Sequence, residues 1–144
     1  MLQVRRDCFC LLLLYRGELF ALRTGRFLGS VIALHRIEKI LVARFADECF
    51  DAVTSNYVYH NISGVDKQKL LRETLRVLKK DGTFAIHDLM EKSRYGDMEN
   101  FVEELRAEGY EEVCLIPTAN GRFMSKREGR CYFLAGSTLL VGKK

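Results

Sequence analysis

Apolar and polar positions alternate along the second half of the chain in a regular succession of strand and helix periods. Runs rich in β-branched and aromatic residues predict strands over residues 50–58, 83–87, 111–116 and 137–141. Between them, Leu71, Leu75 and Leu78 recur at i, i+4 and i+7, which predicts a helix over 66–80. The same spacing predicts a helix over 97–108, and a shorter helix is predicted over 125–132.

Strands that alternate with helices of this length indicate the α/β class, with a parallel sheet covered by helices. No full helix separates the last two predicted strands, so we expect the final strand to run antiparallel. The length of 144 residues fits a single domain.

The N-terminal third has a less regular pattern. Residues 8–15, 27–34 and 37–42 are each apolar enough to form strands, and residues 11–23 could alternatively form a helix. The run at 8–15 also raises the alternative of a signal peptide, but no small-residue cleavage site follows it. Because the run is far shorter than the roughly 20 residues of a membrane span, we expect a buried strand and no span.

Charge and cysteine usage narrow the function classes. The net charge is +4, but residues 1–44 carry +5 and residues 45–144 carry −1. The arginines of the basic part are scattered, which argues against a nucleic-acid surface. The five cysteines form no CxxC pair, so neither a disulfide framework nor a metal site is indicated, and a reduced, cytoplasmic setting is expected.

Two segments carry a resemblance to a known family. FADECFDAVTSNYVYHNI (residues 45–62) resembles the fourth-strand segment of class I S-adenosylmethionine-dependent methyltransferases. LLRETLRVLKKDGTFAIHDL (residues 70–89) is similar to the next helix and strand of that family. The resemblance covers residues 45–144. It implies a Rossmann-like, mostly parallel sheet with helices on its faces and an antiparallel C-terminal strand.

The chain departs from the family pattern in its first third. The family holds its cofactor with an acidic-x-G-x-G-x-G loop, but only Gly17, Gly25 and Gly29 precede Gly64, and they do not form that pattern. His35 stands where the family has an acidic residue for the cofactor ribose. We therefore expect an N-terminally incomplete fold, in which residues 1–44 are a divergent segment or the remnant of a deletion or reading-frame change. We also expect S-adenosylmethionine to bind poorly or not at all.

The end of the predicted strand 50–58 holds the candidate site residues. In the family this stretch lines the methionine end of the cofactor, so the resemblance implies cofactor contacts for Ser55, Asn56 and Tyr57. His60 is the candidate catalytic base, because histidine changes its charge near neutral pH. The alternatives are a loop amide satisfied by local hydrogen bonds for Asn56 and an ordinary polar strand end for His60.

Further residues surround these candidates in the predicted fold. Strand alternation would place Tyr57 and Tyr59 on the face opposite Asn56 and His60. His87 and Asp88 lie at the end of the next predicted strand, at the same edge of the sheet as these candidates. We expect their side chains to make structural hydrogen bonds there.

Three functions follow from these features. The first is a methyltransferase-like protein that moves a methyl group from S-adenosylmethionine to an unknown small-molecule acceptor. The alternative is a truncated, non-catalytic remnant that acts as a binding or oligomerising domain, including pairing of its own copies through an exposed sheet edge. A third is a basic N-terminal arm that associates with anionic surfaces.

Overall fold

A computed structural model describes residues 9–15, 18–24, 45–121 and 123–144. The strands are β1 (Phe9–Tyr15), β2 (Glu18–Thr24), β3 (Phe50–Asn56), β4 (Leu78–Leu89), β5 (Glu111–Pro117) and β6 (Ser137–Lys143). The helices are α1 (Lys67–Arg76), α2 (Lys92–Tyr95), α3 (Met98–Ala107) and α4 (Lys126–Cys131), with a 3₁₀ turn at Tyr59–Asn61. The protein is therefore of the mixed α/β class, as expected.

All six strands form one sheet in the order β2-β1-β3-β4-β6-β5. The expectation that the four predicted strands share a sheet is confirmed, and β6 runs antiparallel to both β4 and β5. Strands β2, β3, β4 and β5 thus point the same way. However, β3–β4 is the one parallel pairing among the described strands, so the mostly parallel prediction holds for direction and not for pairing.

The place beside β3 is filled by β1, which runs antiparallel to it. Cys10 lies opposite Asn56, whereas Leu14 lies opposite Ala52. The carboxyl end of β1 therefore reaches the rim opposite to the carboxyl ends of β3 and β4. The strand predicted at 8–15 is confirmed over 9–15, and the helix alternative for 11–23 is wrong. The strands predicted at 27–34 and 37–42 lie outside the described residues.

Helix α1 begins and ends for identifiable reasons. The Asp66 carboxylate accepts hydrogen bonds from the backbone N–H groups of Gln68 and Lys69 at 2.9 and 3.1 Å, which satisfies donors that a helix start leaves unpaired. The helix ends at Arg76 and not at residue 80 as predicted. The Val77 carbonyl accepts from the N–H groups of Cys49 and Phe50 at 2.9 Å, so the backbone has already joined the sheet.

The core lies between α1, α3 and one face of the sheet. Alternating strand residues such as Val53, Phe84 and Ile86 pack in one cluster with apolar residues of both helices. Their neighbours on the other face of β3, Thr54 and Asn56, are exposed. Among the described residues, this helical core covers a single face of the sheet, where helices on both faces were expected.

The helices α3 and α4 begin at capping residues. Asp97 caps α3 by accepting from Asn100 N–H at 3.1 Å, and α4 begins with a capping box of Ser125 and Glu128. The short helix α2 lies within a segment that the sequence pattern indicated to be loop. None of the helices in the described ranges has the length and apolar character that crossing a bilayer requires.

Candidate functional site

A polar rim lies where the carboxyl ends of β3 and β4 meet. The register sets Asn56 beside His87, and the Tyr57 N–H donates to the His87 carbonyl at 2.8 Å. Tyr57 takes a left-handed φ of 52°, which ends the strand two residues before the predicted boundary at 58. The chain then turns through the 3₁₀ turn back across the end of β4. Carboxyl ends of parallel strands are the usual location of sites in open α/β sheets.

The centre of the rim is the side chain of Asp88, which is fully buried. Its Oδ2 accepts from the backbone N–H groups of Tyr59 and His60 at 2.7 and 3.3 Å. Its Oδ1 accepts from Leu89 N–H at 2.7 Å and lies 2.6 Å from His60 Nδ1. The carboxylate therefore fixes both the 3₁₀ turn and the imidazole ring, and a buried carboxylate needs this many donors to offset its desolvation.

The contact with Asp88 assigns the protons of His60. A carboxylate only accepts hydrogen bonds, so Nδ1 carries a proton. In the neutral ring the lone pair then lies on Nε2, the atom that can take a proton from a ligand. Asp88 would also stabilise the imidazolium that results. This His–Asp geometry suits a general base.

A second histidine, His87, links three strands. Its Nδ1 lies 3.0 Å from Asn56 Oδ1, so it donates to that amide oxygen. Its Nε2 lies 2.9 Å from both Ser137 Oγ and Thr118 Oγ1. The Tyr57 hydroxyl in turn lies 2.5 Å from Ser137 Oγ. Burial lowers the pKa of His87, against a smaller upward effect of Asp88, and keeps this connecting ring neutral at pH 7.

Tyr57 packs between the two histidines. Its ring centroid lies 4.7 Å from that of His87 and 6.0 Å from that of His60, the latter edge-on. Burial raises the pKa of the Tyr57 hydroxyl, so the group stays protonated. Asn56 is exposed, with its amide oxygen toward His87. Asn56, Tyr57 and His60 therefore meet at one rim, and their roles toward a ligand stay predictions.

The strand alternation expected beyond residue 56 is wrong. Tyr59 is fully buried and its hydroxyl lies 2.9 Å from that of Thr74 on α1, so it belongs to the core. The reason is the left-handed turn at Tyr57, after which strand periodicity no longer applies. The Ser55 side chain is also buried, close to the Tyr59 hydroxyl. Any contact of Ser55 with a cofactor would therefore come from its backbone.

Sequence reasoning missed two members of the rim, Ser137 and Thr118. Both are hydroxyl residues at strand ends: Ser137 begins β6, and Thr118 follows the last residue of β5. The antiparallel direction expected for β6 could have identified Ser137 as a member of the rim. In a strand that runs antiparallel to its neighbours, the first residue reaches the rim where the parallel strands end.

The residues of the rim fit only one end of S-adenosylmethionine. Tyr57 offers an aromatic face, which attracts a sulfonium cation, and His60 is within ring contact of it. Asn56 and Tyr57 already hold His87 and Ser137, however, and Asp88 is occupied by the turn. The described residues supply no glycine cradle and no acidic side chain for a ribose, so the adenosine end has no partner among them.

The structure is thus that of an α/β protein with a polar rim, the candidate functional site, at the carboxyl ends of its parallel strands β3 and β4. In a comparison with protein families, residues 26–86 match the model described as "Methyltransferase domain". That family comprises class I S-adenosylmethionine-dependent methyltransferases, and the match confirms the resemblance. No curated protein and no solved structure matches the chain.

The family match contains the candidate residues at the end of β3 and stops just before His87 and Asp88. It spans less than half of the chain, and it includes β3, the 3₁₀ turn, α1 and β4 as far as Ile86. Ser55, Asn56, Tyr57 and His60 all fall inside it. It also begins upstream of residue 45, where the sequence motifs placed the start of the resemblance. A methyltransferase-like function is therefore supported.

Proposed function

We propose that the chain carries the acceptor side of a methyltransferase site and transfers a methyl group from S-adenosylmethionine to a small-molecule acceptor. The observation that carries this proposal is the His60–Asp88 pair, with Nδ1 and Oδ1 2.6 Å apart; His60 lies within the family match and Asp88 just beyond its end. His60 is the proposed catalytic base. Ser55 (through its backbone), Asn56 and Tyr57 are the proposed neighbours of the cofactor's methionine end.

Methyl transfer requires few chemical steps from the protein itself. When bound, S-adenosylmethionine supplies an electrophilic methyl group. The chain's own task is to hold the acceptor in line, since positioning dominates such a reaction. Nε2 of His60 would accept the acceptor's proton, and Asp88 would hold the ring and offset the new charge. A general base of this kind contributes about 10²–10⁴-fold to a rate.

The test is formation of S-adenosylhomocysteine by the purified chain at millimolar cofactor, with small acceptors that carry hydroxyl, amine or thiol groups. We expect turnover with at least one acceptor class and a loss of about 10²–10⁴-fold in His60→Gln. Lys80→Gln is the matched control, because Lys80 is exposed and distant from the rim in the sheet. No product above the protein-free background with any acceptor would overturn the proposal.

A second candidate, a non-catalytic remnant that binds a ligand or another chain, is favoured by one observation. Strand β1 occupies the place beside β3 in the antiparallel direction. The strand next to β3 therefore brings its amino end to the rim, where a parallel strand would bring its carboxyl end. The matching test is S-adenosylmethionine binding: absence of any heat of binding at millimolar concentration would favour the remnant. The single-domain division at residue 45 and the cytoplasmic setting stay predictions.

A further inference from the structure

The segment between β5 and β6, residues 118–136, exposes three aromatic side chains. Phe123, Tyr132 and Phe133 are 62%, 53% and 88% exposed. The other aromatic rings of residues 45–121 are buried, as in Tyr59, Tyr95 and Phe101, or half-buried, as in Tyr57 and Tyr110. A cluster of exposed rings on one segment is the kind of surface that marks an interaction site.

Hydrogen bonds and close packing fix the backbone of this segment around α4 and Phe133. Helix α4 starts with a complete capping box, and the Leu134 N–H donates to the Gly129 carbonyl at 2.7 Å. A Cβ on Gly129 would lie 3.0 Å from the Ala119 Cβ, so the two limbs of the segment pack closely. Phe133 takes a φ of 57°, a conformation that is unfavourable for a bulky residue. The exposed Phe133 ring therefore belongs to a segment with a defined, hydrogen-bonded backbone.

The same segment is basic. Lys126, Arg127 and Arg130 are exposed, and in the described part of the chain none of them forms an ion pair. The acid beside them, Glu128, accepts from the N–H and hydroxyl of Ser125 at 2.9 and 2.7 Å. By sequence, residues 118–136 carry a net charge of +3, and the rest of residues 45–144 carries −4.

We propose that residues 118–136 are a docking site for an anionic lipid bilayer surface. Phenylalanine rings enter the headgroup boundary while lysine and arginine bind the anionic headgroups, which is the physical basis of peripheral membrane attachment. A polynucleotide fits less well. It would need an extended basic track, whereas within residues 45–144 the net positive charge belongs to this one segment and the remainder is net negative. The inference is independent of methyl transfer.

The test is co-sedimentation of the full chain with vesicles of pure phosphatidylcholine and of phosphatidylcholine with about one-third phosphatidylglycerol. We expect binding to the anionic vesicles, weakened by salt, and little binding to the neutral ones. Each basic residue near such a surface strengthens binding about fivefold, so Lys126→Gln/Arg127→Gln/Arg130→Gln should lose about 100-fold. Phe123→Ser/Phe133→Ser should lose about tenfold or more.

A charge-matched control separates a specific surface from general charge. Lys69→Gln/Lys80→Gln/Lys92→Gln removes three exposed positive charges elsewhere and should bind like the parent chain, with circular dichroism confirming that every variant is folded. Equal losses in both triple variants would overturn the proposal. So would absence of binding to anionic vesicles, or tighter binding to a single-stranded oligonucleotide that abolishes vesicle binding.

Discussion

At the scale of single residues, Asp88 organises the rim. One carboxylate accepts from three backbone N–H groups and one imidazole, and these donors come from two separate segments of the chain. The group is fully buried, so each donor both satisfies it and depends on it. Position and stability are therefore coupled at this residue.

Replacement of Asp88 by asparagine should destabilise the fold. An amide NH₂ cannot accept, so one of the two pairs of donors loses its partner, and we expect a cost of about 1–3 kcal/mol. Urea denaturation measures it. Asp81→Asn is the control, because its carboxyl is largely exposed and its change should stay within about 0.5 kcal/mol. Equal effects of the two substitutions would contradict the role given to Asp88.

The pH dependence of the free energy of unfolding should reveal the protonation of His87. Burial lowers its pKa in the folded state, so between the two pKa values the unfolded chain binds more protons than the folded one. The stabilising contribution of the neutral ring is full above the unfolded pKa of about 6.5 and is lost as the pH falls below it. Denaturation at pH 7.5 and 5.5 should show a larger loss in the parent chain than in His87→Gln. Identical losses would show that the ring titrates normally.

The candidate residues of the rim were predictable, whereas their arrangement was not. Asn56, Tyr57 and His60 lie at a strand end that the hydrophobic pattern marks clearly. The His60–Asp88 contact depends on the left-handed backbone at Tyr57, and no periodicity in the sequence signals such a residue. The same turn moved Tyr59 from the predicted rim into the core.

At the scale of elements, the boundary between α1 and β4 shows how tertiary pairing decides between two local patterns. Leu75 and Leu78 both fit the apolar stripe of a helix, and both are fully buried. Leu78, however, pairs with Phe50 in the sheet, so it begins a strand. Helix α3 is bounded by Asp97 and Gly109, and none of its residues pairs in the sheet. Its predicted range therefore agrees with the structure to within one residue at each end.

Truncation of Leu75 tests the burial of the α1 stripe. Leu75→Ala removes a fully buried side chain and should cost about 2–5 kcal/mol. Lys69→Ala on the exposed face of the same helix should change the free energy of unfolding by less than about 0.5 kcal/mol. A loss below about 1 kcal/mol for Leu75→Ala in urea denaturation would mean that the stripe does not face the core.

At the scale of the whole molecule, the sheet that the described strands form ends in β2 on one side and β5 on the other. β5 has the features of a protected edge: Glu111 and Glu112 are exposed, Glu112 takes a φ of 53° at an irregularity, and Pro117 offers no N–H. Pairing of two copies through β5 is therefore disfavoured. Homo-oligomerisation stays a prediction, and β2 is the edge at which it is to be sought.

The fold class and the C-terminal topology could be predicted because strand and helix periods alternate clearly after residue 45. The direction of β1 could not. An apolar run has the same pattern whether the strand runs parallel or antiparallel to its neighbour, and β3, the neighbour of β1 at the rim, is far from it in sequence, with Leu12 opposite Thr54. Because of that direction, the strand directly beside β3 presents its amino end at the rim.

The central claim is that the chain builds only part of a cofactor site, and isothermal titration with S-adenosylmethionine tests it most directly. The rim can meet the methionine end through Asn56 and Tyr57, but the described residues offer the adenosine end no cradle. Loss of two or three hydrogen bonds at about 0.5–1.5 kcal/mol each, more where charge is involved, moves a micromolar ligand toward the millimolar range. We predict a dissociation constant weaker than about 10 μM. A tighter constant would contradict the account, because a complete cofactor site would then exist in this chain.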